Sequence, residues 1–147
     1  MTDPSVDPRT GLETLSEPEC WALIDHTTVG RLAVAIDGQP DIFPVNYTVD
    51  RTGDRPSVVI RTAPGTKLAA AVLGRGVAFE VDATDEERHR GWSVVVRGHA
   101  REIEKLEEYL DAAELPVEPW AEGTKAHYVR IEPTEVSGRR VGSTPAG

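Results

Sequence analysis

What most limits the fold is a succession of short β-forming runs, mostly joined by turns too tight to house a helix. Arg31-Leu32-Ala33-Val34-Ala35-Ile36 and Asp41-Ile42-Phe43-Pro44-Val45-Asn46-Tyr47-Thr48-Val49 flank Asp37-Gly38-Gln39-Pro40, and an Asp-Gly pair between β-rich runs predicts a hairpin. The polar stretch from Asp50 to Pro56 predicts another turn, with Ser57 to Arg61 returning as a third strand. Gly76 to Asp82 and Trp92 to Ala100 form a fourth and a fifth strand around a charged loop from Ala83 to Gly91. His127 to Glu132 is a sixth, with a shorter strand near Val136 to Val141. Strands joined by tight turns make an antiparallel sheet, and closing that sheet on itself hides its edges. The expectation is a mainly β fold, a six-stranded antiparallel barrel with short helices at the gaps.

Helix signals are few. Ser16 with Glu19 three residues later forms a capping box ahead of Cys20, Trp21, Leu23 and Ile24, so a short helix starts there and stops near His26 to Gly30. Leu68 to Leu73 is helix-prone, and Ile103, Leu106, Leu110 and Ala113 share one helical face between about Glu102 and Ala113. Residues 1–14, with Pro4, Pro8 and Gly11, are expected to be a flexible arm, residues 15–141 the folded domain, and residues 142–147 a frayed tail.

Charge narrows the partners. With 25 acidic and 16 basic residues among 147, the chain carries a net charge of −9, which argues against a nucleic-acid or anionic-membrane surface. No apolar run approaches the roughly 20 residues of a membrane span, and the N-terminus has no basic and apolar leader pattern, so a cytoplasmic location is expected. Cys20 is the single cysteine, so there is no intrachain disulfide.

Any anion site must therefore be local, and one segment offers it. The run Val58-Val59-Ile60 leads into Arg61-Thr62-Ala63-Pro64-Gly65-Thr66-Lys67 and then a helix start. A strand end, a Pro-Gly turn and the first turn of a helix gather a guanidinium, two hydroxyls, an ammonium and unpaired amides around one point, which suits a phosphate. The alternative is that Thr66 caps the helix while Arg61 and Lys67 pair with surface carboxylates. Pro44 raises a similar choice. It cannot donate within a strand, so it marks an edge, a bulge or the place where a planar ligand lies alongside, with Asn46 on the same side offering an amide to a polar ring edge. A barrel-closing bend with a solvated Asn46 explains it equally.

Taken in order, Gly30-Arg31-Leu32-Ala33, Pro44-Val45-Asn46-Tyr47, Ile60-Arg61-Thr62, Gly65-Thr66-Lys67-Leu68, Val77 to Asp82 and Gly91 to Gly98 resemble the pyridoxamine 5'-phosphate oxidase-like family, in its actinobacterial flavin-binding branch. The resemblance covers about Leu15 to Val141. It implies a split barrel that forms a homodimer and holds flavin mononucleotide (FMN) in grooves between the subunits. By the same resemblance, Arg61, Thr62 and Lys67 hold the phosphate, with Thr66 in the same motif, and Pro44, Val45 and Asn46 lie beside the ring system. Trp92 and Ser93 approach the cofactor from the partner subunit, although a tryptophan at a strand start also packs well into a core or a dimer seam.

The implied activity is hydride or electron transfer to or from a small organic substrate. A flavin carries that chemistry itself, so no acid-base dyad need appear, and no catalytic residue is assigned. His26, His89, His99 and His127 lack metal-ligand spacing, so no metal is expected. His89, between Arg88 and Arg90, is the histidine to test for substrate contact. The C-terminal Arg139-Arg140 does not match the basic and aromatic pattern of true vitamin B6 oxidases. The alternatives are a deazaflavin coenzyme and a non-catalytic module holding flavin or haem.

Overall fold

The computed structural model describes residues 5–62, 68, 72, 74–103 and 127–142. In chain order the elements are β1 (Glu13–Thr14), α1 (Glu17–Ile24), β2 (Val29–Ile36), β3 (Gln39–Asp50), β4 (Ser57–Thr62), β5 (Gly76–Asp85), β6 (Arg90–Glu102) and β7 (His127–Val141). All strand pairs are antiparallel, and the order β7-β4-β3-β2-β5-β6 closes through a β6–β7 pairing into a six-stranded barrel. β1 attaches outside that ring, on β7.

The β2–β3 hairpin turns on Asp37 and Gly38, both at positive φ (49° and 76°), the conformation that makes Asp-Gly the preferred two-residue hairpin turn. Leu32, Val34, Val45, Tyr47, Val58, Ile60, Phe79, Val94, Val96, Val129 and Ile131 alternate inward and fill the barrel. The capping box forms as expected: the Ser16 hydroxyl accepts from the Glu19 amide, and the Glu19 carboxylate accepts from the Ser16 amide. α1 then plugs one end of the barrel with Cys20, Trp21 and Ile24. It sits so close to β7 that a side-chain carbon at Gly138 would lie 2.7 Å from Cys20 Sγ.

Three expectations change. The two C-terminal strands are one continuous β7, because Pro133 falls at a register shift opposite Gly98 rather than ending the ladder. Any side chain at position 98 would strike the Glu132 carbonyl, at 2.0 Å. Residues 5–14, expected to be a loose arm, fold back on themselves through Asp7–Leu12 and Thr14–Ser5 amide hydrogen bonds and dock on β7. Their order comes from backbone pairing rather than from apolar side chains. Glu102 belongs to β6; the rest of the expected helix to Ala113 lies outside the described residues, as do Thr66 and Lys67. Leu68 and Val72 are both helical.

Candidate functional site

The barrel splits where β3 and β4 part. Their last pair is Tyr47 with Ile60; beyond it β3 runs on beside β2 alone, and β4 ends at Thr62. The Tyr47 amide donates to the Thr28 carbonyl on the β2 side at 3.2 Å. Amides alternate direction along a strand, so the nitrogen of residue 44 faces the side that β4 has left. Pro44 thus occupies the one edge where its missing donor costs nothing, which resolves the choice posed by the sequence in favour of an edge.

Asn46 and Arg61 are the next residues after that last pair, so Pro44, Val45 and Asn46 on β3 and Arg61 and Thr62 on β4 flank the place where the two strands part. Asn46 and Arg61 are half-buried on the outer face, whereas Val45 and Thr62 turn inward and are buried. Arg61 lies across from Tyr128 on β7 and makes no ion pair with a described residue. Thr62 Oγ1 is buried with no hydrogen-bond partner among the described residues. A buried hydroxyl in that state costs about 1–3 kcal/mol.

The electrostatics around the split had no clear sequence signal. Arg31, across from Pro44, is shared by Glu80 and by Asp82 at 2.8 Å on β5. The hydrogen bond that Arg31 donates to Glu80 raises the Arg31 pKa above its ordinary value, and the one guanidinium offsets one of the two carboxylate charges. The clue was the alternation of Glu80 and Asp82, which puts both carboxylates on one face of β5. Further along the outer face, Arg130 donates to Asp50 Oδ2 at 2.9 Å and to the Ser57 hydroxyl, locking β3, β4 and β7 together.

Trp92 and Ser93 are not part of this cluster within one chain. Trp92 lies across from Arg140 and Arg61 across from Tyr128, at opposite ends of β7. Trp92 turns inward against the core, edge-on to His26 with ring centroids 6.4 Å apart. Ser93 faces outward, across from Asp82 and Arg139. His89 sits in the β5–β6 turn at φ 53°. No cluster of three or more His, Cys, Asp or Glu side chains suited to a metal occurs among the described residues.

The antiparallel six-stranded ring is a split barrel, and the comparisons give its family. The profile of the family described as pyridoxamine 5'-phosphate oxidase matches residues 16–140, and the chain belongs to that family. The structure is similar to that of an FAD-binding protein from Mycobacterium smegmatis, with 38% identity, a TM-score of 0.78, and coverage of 89% of this chain and 99% of that one. A FAD-binding protein from Mesorhizobium loti is 27% identical with a TM-score of 0.65, over 88% of this chain and 98% of that one. An uncharacterised protein of Mycobacterium tuberculosis is 36% identical over 132 residues, covering 86% of this chain and 84% of its own length.

Proposed function

We propose that this protein binds FMN at the split and uses it for hydride or electron transfer with a small organic substrate. The observation that carries this reading is the pairing of an orphaned, buried Thr62 hydroxyl with a half-buried Arg61 that has no counter-ion among the described residues. Those two groups fit a phosphate, and the open edge at Pro44 to Asn46 fits the flat rim of a ring system. When bound, the flavin supplies the redox chemistry.

The chain's own residues do the rest. Arg61 grips phosphate oxygens through its planar fork, Thr62 donates its hydroxyl, and Thr66 and Lys67, a few residues on in the sequence, add a second hydroxyl and an ammonium. Asn46 presents an amide to the polar rim of the ring, while Pro44 and Val45 keep that edge free of a competing strand. Arg31 is committed to Glu80 and Asp82, which leaves Arg61 as the guanidinium for an anionic ligand in this reading. Trp92 and Ser93, on β6 across from the end of β7 that is far from Arg61, do not serve the same ligand within one chain, so in this reading they come from the second copy of a homodimer. A cytoplasmic site of action belongs to the same proposal; among the described residues no helix is long and apolar enough to cross a membrane.

Purified protein should be yellow, or turn yellow on adding FMN, and denaturation should release a flavin whose mass separates FMN from FAD. Both share the riboflavin phosphate that the site addresses. Arg61→Ala combined with Lys67→Ala should abolish flavin retention and lower the melting temperature of the loaded protein. A double variant that keeps full colour refutes the placement of the phosphate.

A further inference from the structure

A second feature lies on the outer face at the other end of β7. Two cross-strand rows meet there. Asp82, Ser93, Arg139 and Thr14 form the first; Thr84, Gly91, Val141 and, one residue beyond the last β1–β7 pair, Leu12 form the second. Because Gly91 has no side chain, the second row is open at its middle, and the groove that results has a volume of about 300 Å³. Leu12 and the 39%-exposed Val141 are its apolar walls, and the Ser93 hydroxyl and Arg139 guanidinium its polar end.

Arg139 is the uncommitted charge in this groove. It is exposed and makes no ion pair with a described residue. Asp82, the carboxylate in the same row, is occupied by Arg31 at 2.8 Å. Arg140 turns to the opposite face, toward Glu13 at 3.5 Å and Glu19 at 3.9 Å. On a chain of net charge −9, carboxylates are plentiful, so a guanidinium left without one beside a hydroxyl and two apolar walls is placed for an outside anion.

We propose that this groove binds a small organic carboxylate, with the acid on Arg139 and Ser93 and the apolar body over Gly91 between Leu12 and Val141. Its role as the substrate-recognition half of the redox site rests on the flavin reading above. Its binding chemistry does not. The arm before α1 thereby acquires a function, since Leu12 and Thr14 complete one wall.

The test titrates benzoate, and benzamide as its uncharged counterpart, into the ¹⁵N-labelled full chain while following the amide signals of Gly91, Ser93 and Val141. Benzoate should shift all three, and Arg139→Gln should weaken it by about tenfold or more, the effect of losing a charge-assisted pair. Arg139→Lys should fall in between, because it keeps the charge without the fork. Benzamide should bind wild type and Arg139→Gln alike and more weakly than benzoate binds wild type. Arg88→Gln, in the exposed β5–β6 turn, should change nothing. Equal binding of benzoate and benzamide to wild type, or unchanged benzoate binding in Arg139→Gln, overturns the proposal. FMN uptake, read by absorbance, separates the two ideas. Benzoate binding without any flavin uptake supports the groove and removes the flavin reading, whereas loss of flavin in Arg139→Gln overturns the groove as a site distinct from the cofactor's.

Discussion

Thr62→Val should change folding stability and flavin affinity in opposite directions. The substitution keeps shape and replaces a hydroxyl that is 92% buried as part of its residue, at 8% relative exposure, and bonded to nothing among the described residues. Without cofactor that hydroxyl carries its desolvation penalty unrelieved, so Val should stabilise the apoprotein by about 1–2 kcal/mol. At a urea slope of about 1.5 kcal/mol per molar, the unfolding midpoint should rise by about 1 M. With cofactor the hydroxyl is worth a hydrogen bond to a charged phosphate, about 1.5–3 kcal/mol, so flavin affinity should fall by about tenfold to a hundredfold. Urea unfolding of the apoprotein and a fluorescence titration with FMN measure the two arms separately. If Val destabilises the apoprotein, the hydroxyl is already satisfied within the fold. If Val stabilises the protein while FMN binds unchanged, the phosphate lies elsewhere.

Further substitutions test the frame that holds the site. Burial pushes Asp50 toward a higher pKa, but the Thr52 hydroxyl and amide and the Arg130 guanidinium outweigh it and leave Asp50 below the ordinary carboxylate value. Its contribution is therefore complete above the unfolded value of about 3.9 and fades as pH falls through the lower folded value, so Asp50→Asn should flatten stability against pH in that acid range. Arg130→Met, which leaves Asp50 buried and unpaired, should cost about 3–5 kcal/mol at neutral pH in urea unfolding. Gly138→Ala should cost about 1–3 kcal/mol by driving a methyl against Cys20 Sγ and Leu15, and adding Cys20→Ala should recover part of that loss in a double-mutant cycle.

Local chemistry made parts of this protein legible in sequence. Ser16 and Glu19 announce α1 because a capping box needs no tertiary partner, and Asp37-Gly38 announces the hairpin because its backbone demands positive φ. Arg61 and Thr62 were legible as a strand end because the apolar run Val58 to Ile60 leads directly into them. What depends on distant strands was not legible. Pro133 looks like a terminator unless Gly98 is known to lie across from it. Glu13 and Thr14 carry no β-forming signal and are ordered by the edge that β7 offers. Trp92 and Ser93 are adjacent in sequence, yet strand alternation sends one inward to His26 and the other outward across from Arg139, so adjacency in the chain did not reveal their different surroundings.

That separation has a thermodynamic consequence. If the split of one copy and the β6 and β7 end of another share each flavin, the ligand binds the dimer in preference to either monomer, and cofactor and assembly are linked by mass action. Two equivalent sites each occupied at a hundredfold excess over the dissociation constant add about 2.7 kcal/mol apiece to the dimer. Sedimentation of the wild type across a dilution series should then show FMN shifting dissociation to much lower protein concentration. Arg61→Ala should erase that shift and leave the apo dimer's own dissociation unchanged, because in this arrangement Arg61 holds the ligand and not the neighbouring subunit. Should FMN saturate fully dissociated monomer with undiminished affinity, the flavin belongs to one barrel alone, and the residues at the far end of β7 have some other use.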